Sequence, residues 1–169
     1  ARFDSDKLRD VNAYFINIMD DDALYELIAA SIGQSGNAPT SSAAKSRIIT
    51  LLPLLKERAK THLDIAGSIG YLLGDGAVDI DDDAAELLTD AAKSILRDLD
   101  VSLANATWDL DGLRAAINGY LAEKGLKMRD IGLPLRAAVT GMKQTPSIMD
   151  IMVALGQSET SERLQIACK

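Results

Sequence analysis

The sequence predicts an all-α fold, and three observations carry that prediction. Long Leu- and Ala-rich segments are separated by Gly and Pro. Their apolar residues recur at three- and four-residue spacing instead of alternating. Aromatics make up only 4% of a chain that is 47% hydrophobic, so the core must be built from Leu, Ile, Val and Ala. At 169 residues the chain can bury one good core or two small adjoining ones. Two helical subdomains side by side are expected, over residues 1–103 and 104–169, with the boundary in the Ser/Asn/Thr-containing stretch 100–107.

The first helix is expected from about Ser5 to Ile18, with Leu8, Val11, Phe15 and Ile18 as its apolar stripe and Asp4 or Ser5 as its cap. Asp20 to Asp22 start a second, where carboxylates suit the positive end of the helix dipole. Leu24, Leu27, Ile28 and Ile32 form its stripe, Gly33 ends it, and residues 33–42 read as a loop. A third helix turns Ile48, Leu51, Leu52 and Leu55 inward, and Pro53, which lacks an N–H, should kink or split it. Thr61 with Asp64 three places on predicts a capped fourth helix carrying Ile65, Ile69, Leu72 and Leu73. The fifth is expected over Asp82 to Leu99, burying Leu88, Ala91, Ala92, Ile95 and Leu99. After Trp108, a helix lined by Leu113, Ile117, Tyr120 and Leu121 stops at Gly125. Shorter helices follow, set off by Pro134, Gly141, Pro146 and Gly156, with Thr145 and Pro146 as cap and first position of one of them.

The net charge of −7 argues at first against a nucleic-acid ligand. Its distribution weakens that objection. Residues 1–100 carry 10 Lys/Arg against 18 Asp/Glu, whereas residues 101–169 carry 8 against 7. Lys45, Arg47, Lys56, Arg58 and Lys60 form one basic window; Lys124, Lys127, Arg129, Arg136 and Lys143 form another. By themselves such windows are more often solvated faces than RNA sites.

Little else in the chain suggests catalysis. His62 is the only histidine, which excludes multi-histidine zinc sites and leaves little for a triad. Counted from Asp79, the sixth and twelfth positions of a calcium loop would be Ala84 and Asp90 in place of Gly and Glu, so Asp79 to Asp83 read as helix capping. Neither phosphate-cradling glycine motif occurs. Cys168 is the single cysteine, so no internal disulfide forms and a reducing cytoplasm is the default. The longest apolar run, Ile48 to Leu55, is too short to cross a bilayer, and no export leader is recognisable.

The last third carries the most specific pattern. Trp108 is followed by Pro134-Leu135-Arg136-Ala137-Ala138-Val139-Thr140-Gly141, then Thr145-Pro146, Leu155-Gly156 and Arg163-Leu164. These ordered elements resemble the C-terminal end of bacterial glutamyl-tRNA synthetases, class I aminoacyl-tRNA synthetases. Lys7-Leu8 with Asn12 looks like that family's first helix after its catalytic and connecting domains. Leu54 to Thr61 is similar to a family segment ending in Arg-x-x-Thr; residues 66–107 contribute only a helix pattern.

The resemblance implies a helical anticodon-binding region of a glutamate–tRNA ligase, with the catalytic domain outside this chain. Arg58 would read the third anticodon base. Arg136, Thr145, Pro146 and Ile148 would clasp the first, with Ile148 against a base face, while Met149 stands where the family often has an aromatic. Arg47, Lys60, Arg129 and Lys143 are candidate phosphate contacts. The implied partner is glutamate tRNA, with glutamine tRNA left open. A monomer with no DNA and no membrane partner is expected, no cofactor in this chain, and ATP and magnesium ions at the absent catalytic domain. Composition alone favours an alternative, an acidic helical protein–protein module that docks a basic partner.

Overall fold

The computed structural model describes residues 5–34 and 41–169, and every described element is helical. The fold class is therefore the expected one. The chain divides into two compact units, the first ending at Gly74 and the second spanning Asp75–Lys169. The division is not at 100–107. The segment before that stretch forms a helix that packs against three others of the second unit, and this holds residues 75–103 within that unit.

In the first unit, α1 (Ser5–Ile18), α2 (Asp21–Gln34), α3 (Ser42–Lys56) and α4 (His62–Ser68) precede a 3-10 turn at Gly70–Leu72. Helix α2 packs on α3 and α4, α1 on α3, and α3 on the 3-10 turn. Leu24, Ile28, Ile48, Leu52, Ile65 and Ile69 are fully buried at these contacts. Helix α1 has the expected bounds but a different face inside. Ile16 is buried, whereas Leu8, Val11, Phe15 and Ile18 are 46–62% exposed because no described element covers that stripe. Leu27 is also exposed, and α2 continues past Gly33 to Gln34. The expected cap at Asp4 or Ser5, and most of the 33–42 loop, lie outside the residues whose side chains are described.

Helix α3 runs through Pro53 without splitting. Pro53 faces solvent, while Leu51, Leu52 and Leu55 are buried around it and hold the last turn in place. Tertiary burial thus offsets one missing backbone bond. Thr61 and Asp64 form a reciprocal capping box at α4, as expected. That helix stops at Ser68, and Ile69 and Leu72 reach the core through the 3-10 turn.

The second unit contains α5 (Asp82–Ala85), α6 (Asp90–Leu103), α7 (Leu110–Lys124), α8 (Met128–Thr140), α9 (Ile148–Leu155) and α10 (Gln157–Ala167). Helix α6 meets α7, α8 and α10; α10 also meets α8 and α9. The single helix expected over 82–99 is two, because the Thr89 hydroxyl accepts from Ala92 N–H and starts α6 afresh. The restart shifts the buried face to Leu96, Leu99 and Leu103. Helix α7 buries Leu113, Ile117, Tyr120 and Leu121 and ends at Gly125, as the sequence predicts. Helix α8 continues through Pro134, and the cap of α9 is Ser147, not Thr145. No described helix is long and apolar enough to cross a membrane.

Candidate nucleic-acid interface

Most of the first basic window is used internally. Lys56 is only 8% exposed, and its ammonium donates to the Met19 carbonyl at 2.8 Å and to Asp21, tying the α1–α2 corner to α3. Arg47, also 8% exposed, donates through Nη1 to the Gly74 carbonyl. Its guanidinium is thereby turned toward the protein's own backbone. Lys45 sits over the Tyr25 ring and near Asp22 and Glu26. Lys60 pairs with Asp10 at 2.7 Å. Arg58 stands exposed in the turn after α3, its own N–H bonded to the Leu55 carbonyl.

The capping box fixes that turn. Asp64 accepts the N–H groups of Lys60 and Thr61 and returns its own N–H to the Thr61 hydroxyl. Partial burial works against the Asp64 carboxylate, but these bonds outweigh it and hold its pKa below the ordinary value. Arg58 is therefore carried on a short segment braced at both ends, by the end of α3 and by the start of α4.

In the second unit, Arg136 is half-buried on the last two turns of α8. Its Nε donates to the Thr145 hydroxyl at 3.0 Å, and that hydroxyl donates to the Pro146 carbonyl at 3.1 Å. Thr140 binds back to the Arg136 carbonyl and accepts Met142 N–H, which turns the chain out of the helix. Thr145, Pro146 and Ile148 are all buried. The structure thus brings Arg136, Thr145 and Pro146 together. It places the Ile148 side chain in the core, 4% exposed, where it supports the loop and does not face outward. Ser147 is exposed and Met149 half-buried at the same helix start.

Lys143 is exposed in this loop. Arg129 is exposed at the start of α8, near Asp130 at 3.7 Å. Lys124 is bound to Asp98 at 2.7 Å. Their mutual hydrogen bond lowers the Asp98 pKa and raises that of Lys124, so both stay charged through neutral pH.

A family model described as an anticodon binding domain matches residues 14–168. The chain belongs to this family. Glutamate–tRNA ligase 2 of Chelativorans sp. is 33% identical over 171 residues, covering 98% of this chain and 36% of that protein. Glutamate–tRNA ligase 1 of Brucella melitensis is 32% identical, with 97% and 36% covered. The chain therefore spans about a third of the length of these curated relatives. A crystal structure of a glutamate tRNA ligase from Elizabethkingia meningosepticum superposes with a TM-score of 0.82 over 99% of this chain and 33% of that one, at 21% identity. At that identity the superposition establishes the shared fold.

Sequence reasoning missed several parts of this anticodon binding domain. Trp108 donates its indole N–H to the Met152 carbonyl at 2.9 Å, which gives the motif tryptophan a structural task at the end of α9. Gly141 has φ +73, and Asp79 packs so close that any Cβ there would collide with its carbonyl. Arg163 is 1% exposed and bonded to Glu159. The four-residue spacing of Glu159 and Arg163 was a readable signal for that pair.

Proposed function

We propose that this chain binds the anticodon loop of glutamate tRNA as part of a glutamate–tRNA ligase. The observation that carries the reading is the anticodon-binding-domain match over residues 14–168. The geometry supports it from two sides. Arg58 offers a planar fork of donors on a braced turn, suited to the edge of an unstacked base. Arg136 is aimed by Thr145 at the end of α8, so less orientational freedom is lost when it meets a base.

Arg58 is proposed to read the third anticodon base, and Arg136 with Thr145 and Pro146 the first. Lys60, Arg129 and Lys143 would add salt-dependent, sequence-independent contacts to phosphates. Charging tRNA with glutamate, and the use of ATP and magnesium ions, would belong to the remainder of such a ligase. Glutamine tRNA is a second possible cargo, distinguished by whether Arg58 rejects its anticodon. The reading also implies a cytoplasmic protein.

The test is titration of this chain with an anticodon stem-loop of glutamate tRNA and with loops altered at one base. Arg58→Ala should cut third-base preference by about tenfold and leave first-base preference intact; Arg136→Ala should do the reverse. Binding that is weak and indifferent to every base would defeat the reading and favour a surface that docks a basic protein.

A further inference from the structure

The reading proposed above leaves one buried group without a task. Arg163 and Glu159 on α10 form an ion pair at 2.6 Å, with Arg163 only 1% and the Glu159 side chain only 9% exposed. A buried pair of this kind is a poor source of stability, since desolvation of both charges offsets most of their attraction. Its value must lie in what else the two side chains hold.

Both hold the same place. Arg163 Nη1 donates to the Val139 carbonyl at 3.0 Å, one of the carbonyls in the last turn of α8. A cation there suits the negative end of the helix and fixes the direction in which the chain leaves it. Glu159 Oε1 accepts Gly76 N–H at 2.9 Å. The segment that begins at Gly76 reaches the same helix end, where Asp81 N–H donates to the Gly141 carbonyl at 2.9 Å. Arg163 thus braces the exit of α8 directly, and Glu159 braces it through residues 76–81.

That exit decides whether Thr145 meets Arg136. Arg136 lies one turn before Val139, and the loop from Gly141 must return Thr145 to its Nε within a few residues. We infer that Arg163, held by Glu159, is a positioning residue for first-base recognition, setting the loop that aims the Arg136 guanidinium. The inference rests on the anticodon reading above. It assigns to the motif's Arg163 a role in specificity without contact to RNA.

The experiment uses this chain with two families of stem-loops, altered at the first or at the third base. Arg163→Lys keeps the charge but cannot hold Glu159 and Val139 in one planar fork. The paired Glu159→Met/Arg163→Met variant removes both charges together, so neither is left buried and alone, and it guards against a misfolded single variant. Circular dichroism confirms that each is helical. The expected result is a loss of first-base preference of about fivefold or more, with third-base preference unchanged because Arg58 lies in the other unit. The lysine variant should lose less than the methionine pair. First-base preference retained in the folded variants overturns the inference and leaves the anticodon reading standing. An equal fall at both bases also overturns it, since that is general destabilisation. No first-base preference in the unaltered chain overturns the reading and the inference together.

Discussion

Two glycines that look alike in the sequence carry different loads. Gly125 and Gly141 both end helices in the left-handed region, at φ +66 and +73. At Gly125 nothing lies within 4 Å of an added Cβ, so Gly125→Ala meets backbone strain alone, about 1–2 kcal/mol. At Gly141 the same strain is joined by a collision with the Asp79 carbonyl, which would also strip the Asp81-to-Gly141 hydrogen bond. Gly141→Ala should therefore cost about 3 kcal/mol or more, and urea denaturation of the two variants should separate them clearly. Equal losses would show that the 79–81 segment yields easily. Lys56 makes a similar point about charge. It reads as part of a basic face, yet its ammonium is turned inward to Met19 and Asp21.

At the scale of elements, the short helix α4 depends on its cap more than on its seven residues. Thr61→Ala removes one half of the box and should destabilise the first unit by about 1 kcal/mol. The same box predicts an acid response. The Asp64 pKa is lower in the folded chain than in the unfolded one. Its stabilisation is therefore complete above the ordinary carboxylate range, and is lost as pH falls below about 4 and through the folded value. Asp64→Asn should flatten that part of the stability–pH curve, measured by thermal melts between pH 2 and about pH 7. An unchanged curve would mean that other carboxylates govern the acid limb. Pro53 and Pro134 show the opposite balance. Each sits inside a helix that continues past it, because the flanking buried residues, such as Leu52 and Leu55 or Leu135 and Ala138, hold the turn.

For the whole molecule, charge sets a quantitative expectation for RNA. The two basic windows contain ten cations; if all met phosphates, the logarithm of affinity would fall against that of salt with a slope near about −7 for a single strand. Arg47 and Lys56 are buried against Gly74, Met19 and Asp21, and Lys45 and Lys124 are held by Tyr25 and Asp98. Lys60, Arg129 and Lys143, the proposed phosphate contacts, are exposed. The slope for the anticodon stem-loop should therefore lie between about −2 and −3. A value near −7 would mean that the internal pairs open on binding. The acidic balance of residues 1–100 pushes in the same direction, toward recognition by a few placed groups instead of a broad basic surface.

The grouping of Arg136, Thr145 and Pro146 came from the family resemblance; helical class, the α7 face and the Thr61–Asp64 cap were legible in the sequence itself. Each depends on spacing within a few residues, and local hydrogen bonds and periodicity are written at that range. Tertiary structure decided the rest. It set the division at Gly74, the restart at Thr89, the outward face of Leu8, Val11, Phe15 and Ile18, and the burial of Arg47, Lys56 and Ile148. It also brought Arg163 to Val139 and Asp79 to Gly141. An apolar stripe or a cation looks the same in a sequence whether it faces water or a neighbour. Which of the two it faces depends on residues tens of positions away, and only the packed chain brings those residues together.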